Sequence, residues 1–396
     1  NDLRTFIKNK KFKKIFILTG NKSYKLSGIK NIFDKILKDK IAKIYFKKSP
    51  FPEYSELKKI IFSLREFSPD LIIAVGGGSV LDYAKVANVL QISKNLDKQI
   101  INSSYSINKK FTKLLAIPTT AGSGAEVTSN AVIYINKIKY SVEDEILKPD
   151  YFFLIPELIS GASKKIKASS GFDAISQAIE SLISKKSDFQ SVFFAKKSLE
   201  ISLRYYLNFL KKPNLSNTSA MCVAANLAGK AISISKTTAP HAVSYPFTAI
   251  YNVSHGHAVS LTLNEFLFFN YKNMKYAKCD FDLKKRYNIL FSLIGEKTFT
   301  DLDLYLLNLK QKANLENNFN KLGINLKSGL NNIMDGINVQ RLQNNPVKLD
   351  KRDIRLILKH KNAEADDCIA LAVKELINKK NYTKTIWIVA SDYDYI

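Results

Sequence analysis

Short apolar runs that end in glycine or proline alternate with stretches of helical spacing through the first ~150 residues. Residues 13–20, Lys-Lys-Ile-Phe-Ile-Leu-Thr-Gly, read as a buried strand ending at a turn. A helical stretch follows, then a short strand at 41–46 and helical spacing over 55–67. The apolar run 70–75 leads straight into Gly76-Gly77-Gly78-Ser79, after which 80–90 reads as a helix. A further strand, 113–117, ends at Pro118-Thr119-Thr120. Strands separated by helices predict a parallel, doubly wound α/β sheet.

From about Pro156 the period changes. Long stretches of helical spacing (171–184, 191–210, 219–234 and 257–270) dominate and strands are scarce, which predicts a mostly α-helical second part. The pattern divides the chain into an α/β nucleotide-binding domain over 1–155, a helical domain over 156–358 and a tail of different character over 359–396. No internal repeat is visible.

Composition changes this picture little. The 396 residues are 46% hydrophobic, enough for two domains with full cores. No apolar run reaches the ~18 residues that span a bilayer, and no signal peptide is visible, although a chain starting at Asn1 reads as a candidate fragment. Three widely spaced cysteines (Cys222, Cys279, Cys368) argue against a disulfide framework and for a reducing, cytoplasmic setting. The net charge of +26 raises nucleic-acid binding as a competing class, which predicts tight, steeply salt-dependent DNA binding. The lysines are scattered rather than clustered, in company with much Asn, Ile, Phe and Tyr, so codon bias is the simpler account. A basic chain still draws in anionic substrates.

Candidate chemistry lies in three places. Gly76, Gly77, Gly78 and Ser79 join a strand to a helix, where glycines admit a pyrophosphate and the helix start offers free N–H groups. Asp82 is placed in the first turn of that helix, within reach of a ribose or amide. The segment Pro118–Thr128, with Thr119, Thr120 and Ser123, suits a second wall of the nucleotide crevice. Further on, Asp173 and Gln177 stand at i and i+4 of a helical stretch, followed by His241, His255 and His257, three of only four histidines in the chain. A carboxylate, an amide oxygen and two imidazoles could cage one divalent metal. Metal beside nucleotide points to metal-assisted hydride transfer.

These motifs, in this order, resemble the iron-containing (group III) alcohol dehydrogenase family from the first strand to about residue 358, with Asn344-Asn345-Pro346 as a further point of likeness. The resemblance implies a dehydroquinate synthase-like architecture with a Rossmann-like N-terminal domain, a helical C-terminal domain and a metal in the cleft between them. Asp173, His241 and His255 match family metal ligands, and Gln177 stands where the family normally has histidine. Fe²⁺ is the implied metal, with Zn²⁺ or Mn²⁺ as alternatives, and homodimers are common in the family. Segments 176–181, 236–245 and 255–259 look like the phosphonoacetaldehyde reductase branch, where Gln at this ligand position is expected. That implies reduction of a small anionic aldehyde, phosphonoacetaldehyde, to 2-hydroxyethylphosphonate; another small primary alcohol or aldehyde is the alternative, and a nucleotide-binding relative without metal or catalysis a further one.

The proton for the product alcohol is assigned to His257, Tyr245 or water, Tyr245 standing where the family often has histidine. Lys236, Thr237 and Thr238 are the first choice for binding the phosphonate. Lys139 looks like a family position near the nicotinamide ribose. The family often has an acidic residue where this chain has Gly20, and losing its repulsion of a 2′-phosphate predicts that NADPH is accepted as well as NADH. Residues 363–396 resemble a short piece of the flap-endonuclease/5′–3′ exonuclease family. The rest of that fold is absent, which predicts no nuclease activity and a reductase unaffected by truncation near Lys361.

Overall fold

The computed structural model describes residues 2–362. Its seven strands are β1 (Lys14–Gly20), β2 (Ile41–Lys47), β3 (Leu71–Gly76), β4 (Lys113–Pro118), β5 (Asn130–Ile135), β6 (Ile138–Glu143) and β7 (Tyr151–Phe152). Five form a parallel sheet in the order β2-β1-β3-β4-β7. Alternation along each strand divides the side chains between two faces. Phe16, Leu18, Ile72, Ala74, Leu114 and Ala116 join one core cluster, while Ile15, Ile17, Leu71, Ile73, Leu115 and Ile117 join another. Burial on both faces explains why these strands read as unbroken apolar runs.

The turn after β3 differs from the sequence expectation. The helix following it spans Gly78–Val89, with Gly77 as its N-cap, because the Val80 and Leu81 N–H groups already bond the Gly77 carbonyl. Asp82 is therefore the fifth helical residue, in the second turn, and the helix-dipole argument for it falls.

β5 and β6 make a separate antiparallel hairpin that the alternating pattern did not disclose. Its two-residue turn places Asn136 and Lys137 at φ 51° and 65°. Two left-handed residues suit the twist of a tight hairpin, but Lys in the second place hides the usual Asn-Gly signal.

The second half is helical. Lys164–Ile183, Phe189–Lys211 and Leu215–Ser235 pack with His255–Lys272 around Phe172, Ile175, Leu199, Tyr206, Leu263 and Leu267. A fifth helix, Ala239–Tyr251, is concealed in the sequence by Pro240 and Pro246. Pro240 lies in the first turn, where no intrahelical N–H partner is needed. The last helix among the described residues, Lys351–Asn362, buries Ile354 and Leu358, and Lys361 pairs with Glu265 at 2.8 Å. The nuclease-like segment 363–396 lies outside the described residues. Among the described residues no helix is long and apolar enough to cross a membrane.

Candidate metal centre and cleft

Asp173, Gln177 and Glu180 fall at i, i+4 and i+7 of the Lys164–Ile183 helix and so share one face. His241 and Tyr245 are likewise four apart on the Ala239–Tyr251 helix, and His255 is the first residue of the next helix. Gly256 lets these helices meet. A Cβ there would lie 2.0 Å from the Ser169 carbonyl oxygen and 2.7 Å from Asp173 Cβ, so only hydrogen fits. That approach sets His255 beside Asp173.

His241 Nε2 lies 3.3 Å and His255 Nε2 4.0 Å from Asp173 Oδ1. One ligand atom from each of the three residues lies within 4.8 Å of the others. Gln177 Nε2 donates to Asp173 Oδ2 at 3.2 Å, which leaves Gln177 Oε1 buried with no hydrogen-bond partner among the described residues. A buried orphan acceptor is costly, and a cation among these four groups would satisfy it. The donor set therefore fits a divalent metal.

Glu180 anchors this set from behind. Fully buried, its Oε2 accepts from the Thr238 N–H at 2.7 Å and the Thr238 hydroxyl at 2.9 Å, while Oε1 meets His241 Nδ1. A carboxylate on the far ring nitrogen fixes the orientation of a ligating histidine. Burial works to lower the His241 pKa, but Glu180 and Asp173 overcome it and raise the pKa to about 9. Burial and then the Lys139 charge push His255 down to about 3, leaving a free-base ligand. Asp173 stays below its ordinary pKa although burial opposes this, because His241 donates to it and both histidines attract it.

A cavity of about 510 Å³ opens from these ligands to the C-terminal edge of the sheet. Gly78, Ser79, Asp82, Thr120, Ser123 and Lys139 line it together with Asp173, Gln177, His241, Tyr245 and His255. Gly20, Gly76, Gly77 and Thr119 are set back from the lining at strand ends and the helix cap, where the Thr119 N–H bonds the Gly76 carbonyl at 3.0 Å. Burial raises the Asp82 pKa to about 6 against the pull of Lys85 and Lys139. Burial, reinforced by Arg341, pushes Lys139 well down.

Three sequence expectations change here. His257 lies outside the cleft lining, and its Nε2 meets the Glu316 carbonyl at 2.7 Å. Two residues along a helix is a rotation of roughly 200°, so His255 and His257 cannot share a face. Lys236 lines a neighbouring cavity and pairs with Glu143 at 3.3 Å, and Thr238 is committed to Glu180. Thr237 lines both cavities. Two residues escaped the sequence reading. Glu180, one turn beyond Gln177, had its periodicity as a signal. Arg341, whose Nη1 donates to Tyr245 Oη at 2.8 Å, had none, being 96 positions away.

Known proteins resemble this chain over both of its halves. The family model "Iron-containing alcohol dehydrogenase" matches residues 1–156, and "Fe-containing alcohol dehydrogenase family, C-terminal" matches 167–362. A 4-hydroxybutyrate dehydrogenase of Clostridium kluyveri is 31% identical over 219 residues, 54% of this chain and 58% of that protein. A phosphonoacetaldehyde reductase of Streptomyces viridochromogenes is 29% identical over 217 residues, 52% of this chain and 55% of that protein. The matched segments thus span little more than half the length of these curated relatives. The crystal structure of a sulfoacetaldehyde reductase from Bifidobacterium kashiwanohense in complex with NAD⁺ superposes with a TM-score of 0.80 at 24% identity, covering 91% of this chain and 94% of that one. At that identity the likeness is one of fold. The nuclease resemblance of residues 363–396 gains no support from these matches.

Proposed function

Because the chain belongs to the iron-containing alcohol dehydrogenase family, we propose that it interconverts a small aldehyde and its alcohol with a nicotinamide dinucleotide and one divalent cation, Fe²⁺ by family. The observation that carries this reading is the meeting of Asp173, Gln177, His241 and His255 in the cleft that also holds the Gly78–Ser79 helix start. When bound, the cation polarises a carbonyl and the reduced nicotinamide supplies hydride.

The chain's own residues do the rest. Asp173 contributes the negative charge and His255 a free-base imidazole, while Glu180 holds the His241 ring in place. Gln177 contributes a neutral amide oxygen, a harder and weaker ligand than imidazole. The N–H groups at the Gly78 helix start face an incoming pyrophosphate. A Cβ at Gly78 would come within 2.8 Å of Ser123 Oγ, so glycine keeps that wall close-packed and open to a phosphate. Tyr245 is the proton donor, directly or through water. Burial raises its pKa, which keeps the hydroxyl protonated, and Arg341 fixes the oxygen by donating to it.

The finer reading is phosphonoacetaldehyde as substrate. Segments 176–181, 236–245 and 255–259, the Gln177 ligand and the similarity to the Streptomyces reductase support it. The test is oxidation of NADPH and of NADH with phosphonoacetaldehyde, propanal and lactaldehyde, in Fe²⁺-loaded and chelated enzyme. Metal-dependent preference for the phosphonate is expected. Turnover of the neutral aldehydes alone would remove the substrate assignment, and no turnover of any would remove the reductase reading.

A further inference from the structure

Arg341 lies in the 3-10 helix Val339–Asn344, on the wall between the metal cleft and a second cavity of about 570 Å³. Its Nη1 donates to Tyr245 Oη and its Nη2 to Ser141 Oγ, both neutral acceptors. A guanidinium carries five N–H donors, and the described residues take two of them, which leaves three. Arg341 enters no ion pair among the described residues. One aromatic ring links it to the metal ligands. The Tyr245 ring stacks on His255 with centroids 5.8 Å apart, and the guanidinium carbon sits 5.4 Å from the same ring.

The second cavity strengthens the case. It brings Lys185, Lys186 and Lys236 to the far side of Arg341, against a single carboxylate among the described residues, Glu143, already paired with Lys236. Asn130, Thr237 and the apolar Ile232 line both cavities beside Arg341, so only a thin wall separates them. A planar fork with free donors suits the paired oxygens of a phosphonate, carboxylate or sulfonate better than a lysine already engaged.

We infer that Arg341 receives the anionic end of the substrate while its carbonyl lies at the metal centre, making Arg341 the residue that selects anionic over neutral aldehydes. This rests on the reductase reading above. It moves the anion-binding role from Lys236 to a residue 105 positions downstream.

The test uses the full chain, metal-loaded, with Arg341→Met and Arg341→Lys. Calorimetric binding of phosphonoacetate, which carries the anion but no reducible aldehyde, should weaken on the order of 30- to 100-fold in Arg341→Met and less in Arg341→Lys. The ratio of kcat/KM for phosphonoacetaldehyde or succinate semialdehyde to that for propanal should fall by a similar factor. Equal losses on charged and neutral aldehydes, with phosphonoacetate binding unchanged, would overturn the inference. Arg341-dependent binding of phosphonoacetate without turnover of any aldehyde would instead sink the reductase reading and leave the anion site standing. If thermal melting shows that Arg341→Met does not fold, Arg341→Lys and Arg341→Gln carry the same comparison.

Discussion

Replacing Gly256 by alanine tests whether close helix contact builds the metal centre. The new Cβ would lie 2.0 Å from the Ser169 carbonyl oxygen, against the 3.4 Å of ordinary contact, so the two helices must separate there by about 1.4 Å. Neither obstacle is the far end of a flexible side chain: one is backbone and the other is Asp173 Cβ, at 2.7 Å. The strain costs about 1–3 kcal/mol of stability, which a chain of this size with several separate cores survives. The displacement acts directly on His255, whose Nε2 already stands 4.0 Å from Asp173 Oδ1. A misplacement of ~1 Å at a reacting centre costs roughly 100-fold in rate. Gly256→Ala should therefore fold, melt a few degrees lower, hold less metal after dialysis, and lose about two orders of magnitude in kcat. Metal content by elemental analysis, thermal melting and steady-state kinetics on one preparation would check this. A folded variant with full metal occupancy and wild-type kcat would refute the argument that Gly256 sets the His255–Asp173 distance.

Further outcomes follow from other contacts. Glu180→Gln keeps the volume but removes the charge that orients His241, so metal affinity should fall ~10- to 100-fold in a metal-buffered titration, with the fold retained. A Cβ at Gly20 meets nothing closer than Ser23 Oγ at 3.5 Å, so Gly20→Asp is sterically tolerated. It should raise KM for NADPH at least ~10-fold and spare NADH, and equal effects on both would remove Gly20 from cofactor choice. Burial lowers the Lys310 pKa to about 7, from an ordinary 10.5. Between those values the unfolded chain holds a proton that the folded chain has released, so stability from this group rises with pH across about 7 to 10.5, by up to ~1.4 kcal/mol per pH unit. Chemical denaturation at pH 7.5 and 9.5 should show that rise diminished in Lys310→Met, and an unchanged slope would mean that Lys310 stays charged in its buried position.

Much of the molecule is written in local periodicity. The β3 run ending at Gly76, the helical spacing around Asp173 and Gln177, and the order of the motifs are read from neighbours in the chain, because strand and helix periods fix which side chains share a face. Two elements do not show in the local pattern, because Lys137 in the hairpin turn and Pro246 inside the His241 helix both contradict the usual signs. Only the tertiary structure could take His257 out of the cleft while leaving His255 in it, since that depends on which side of their helix meets Asp173. The same holds for Lys236, which is paired with Glu143, and for Thr238, which is held by Glu180. Arg341 is the clearest case. Nothing in its local sequence marks it, and it gains meaning only by standing against Tyr245. Spacing along the chain determines faces, whereas contact between residues a hundred positions apart is decided by how the faces pack, and that is where a site acquires its charges and its proton donors.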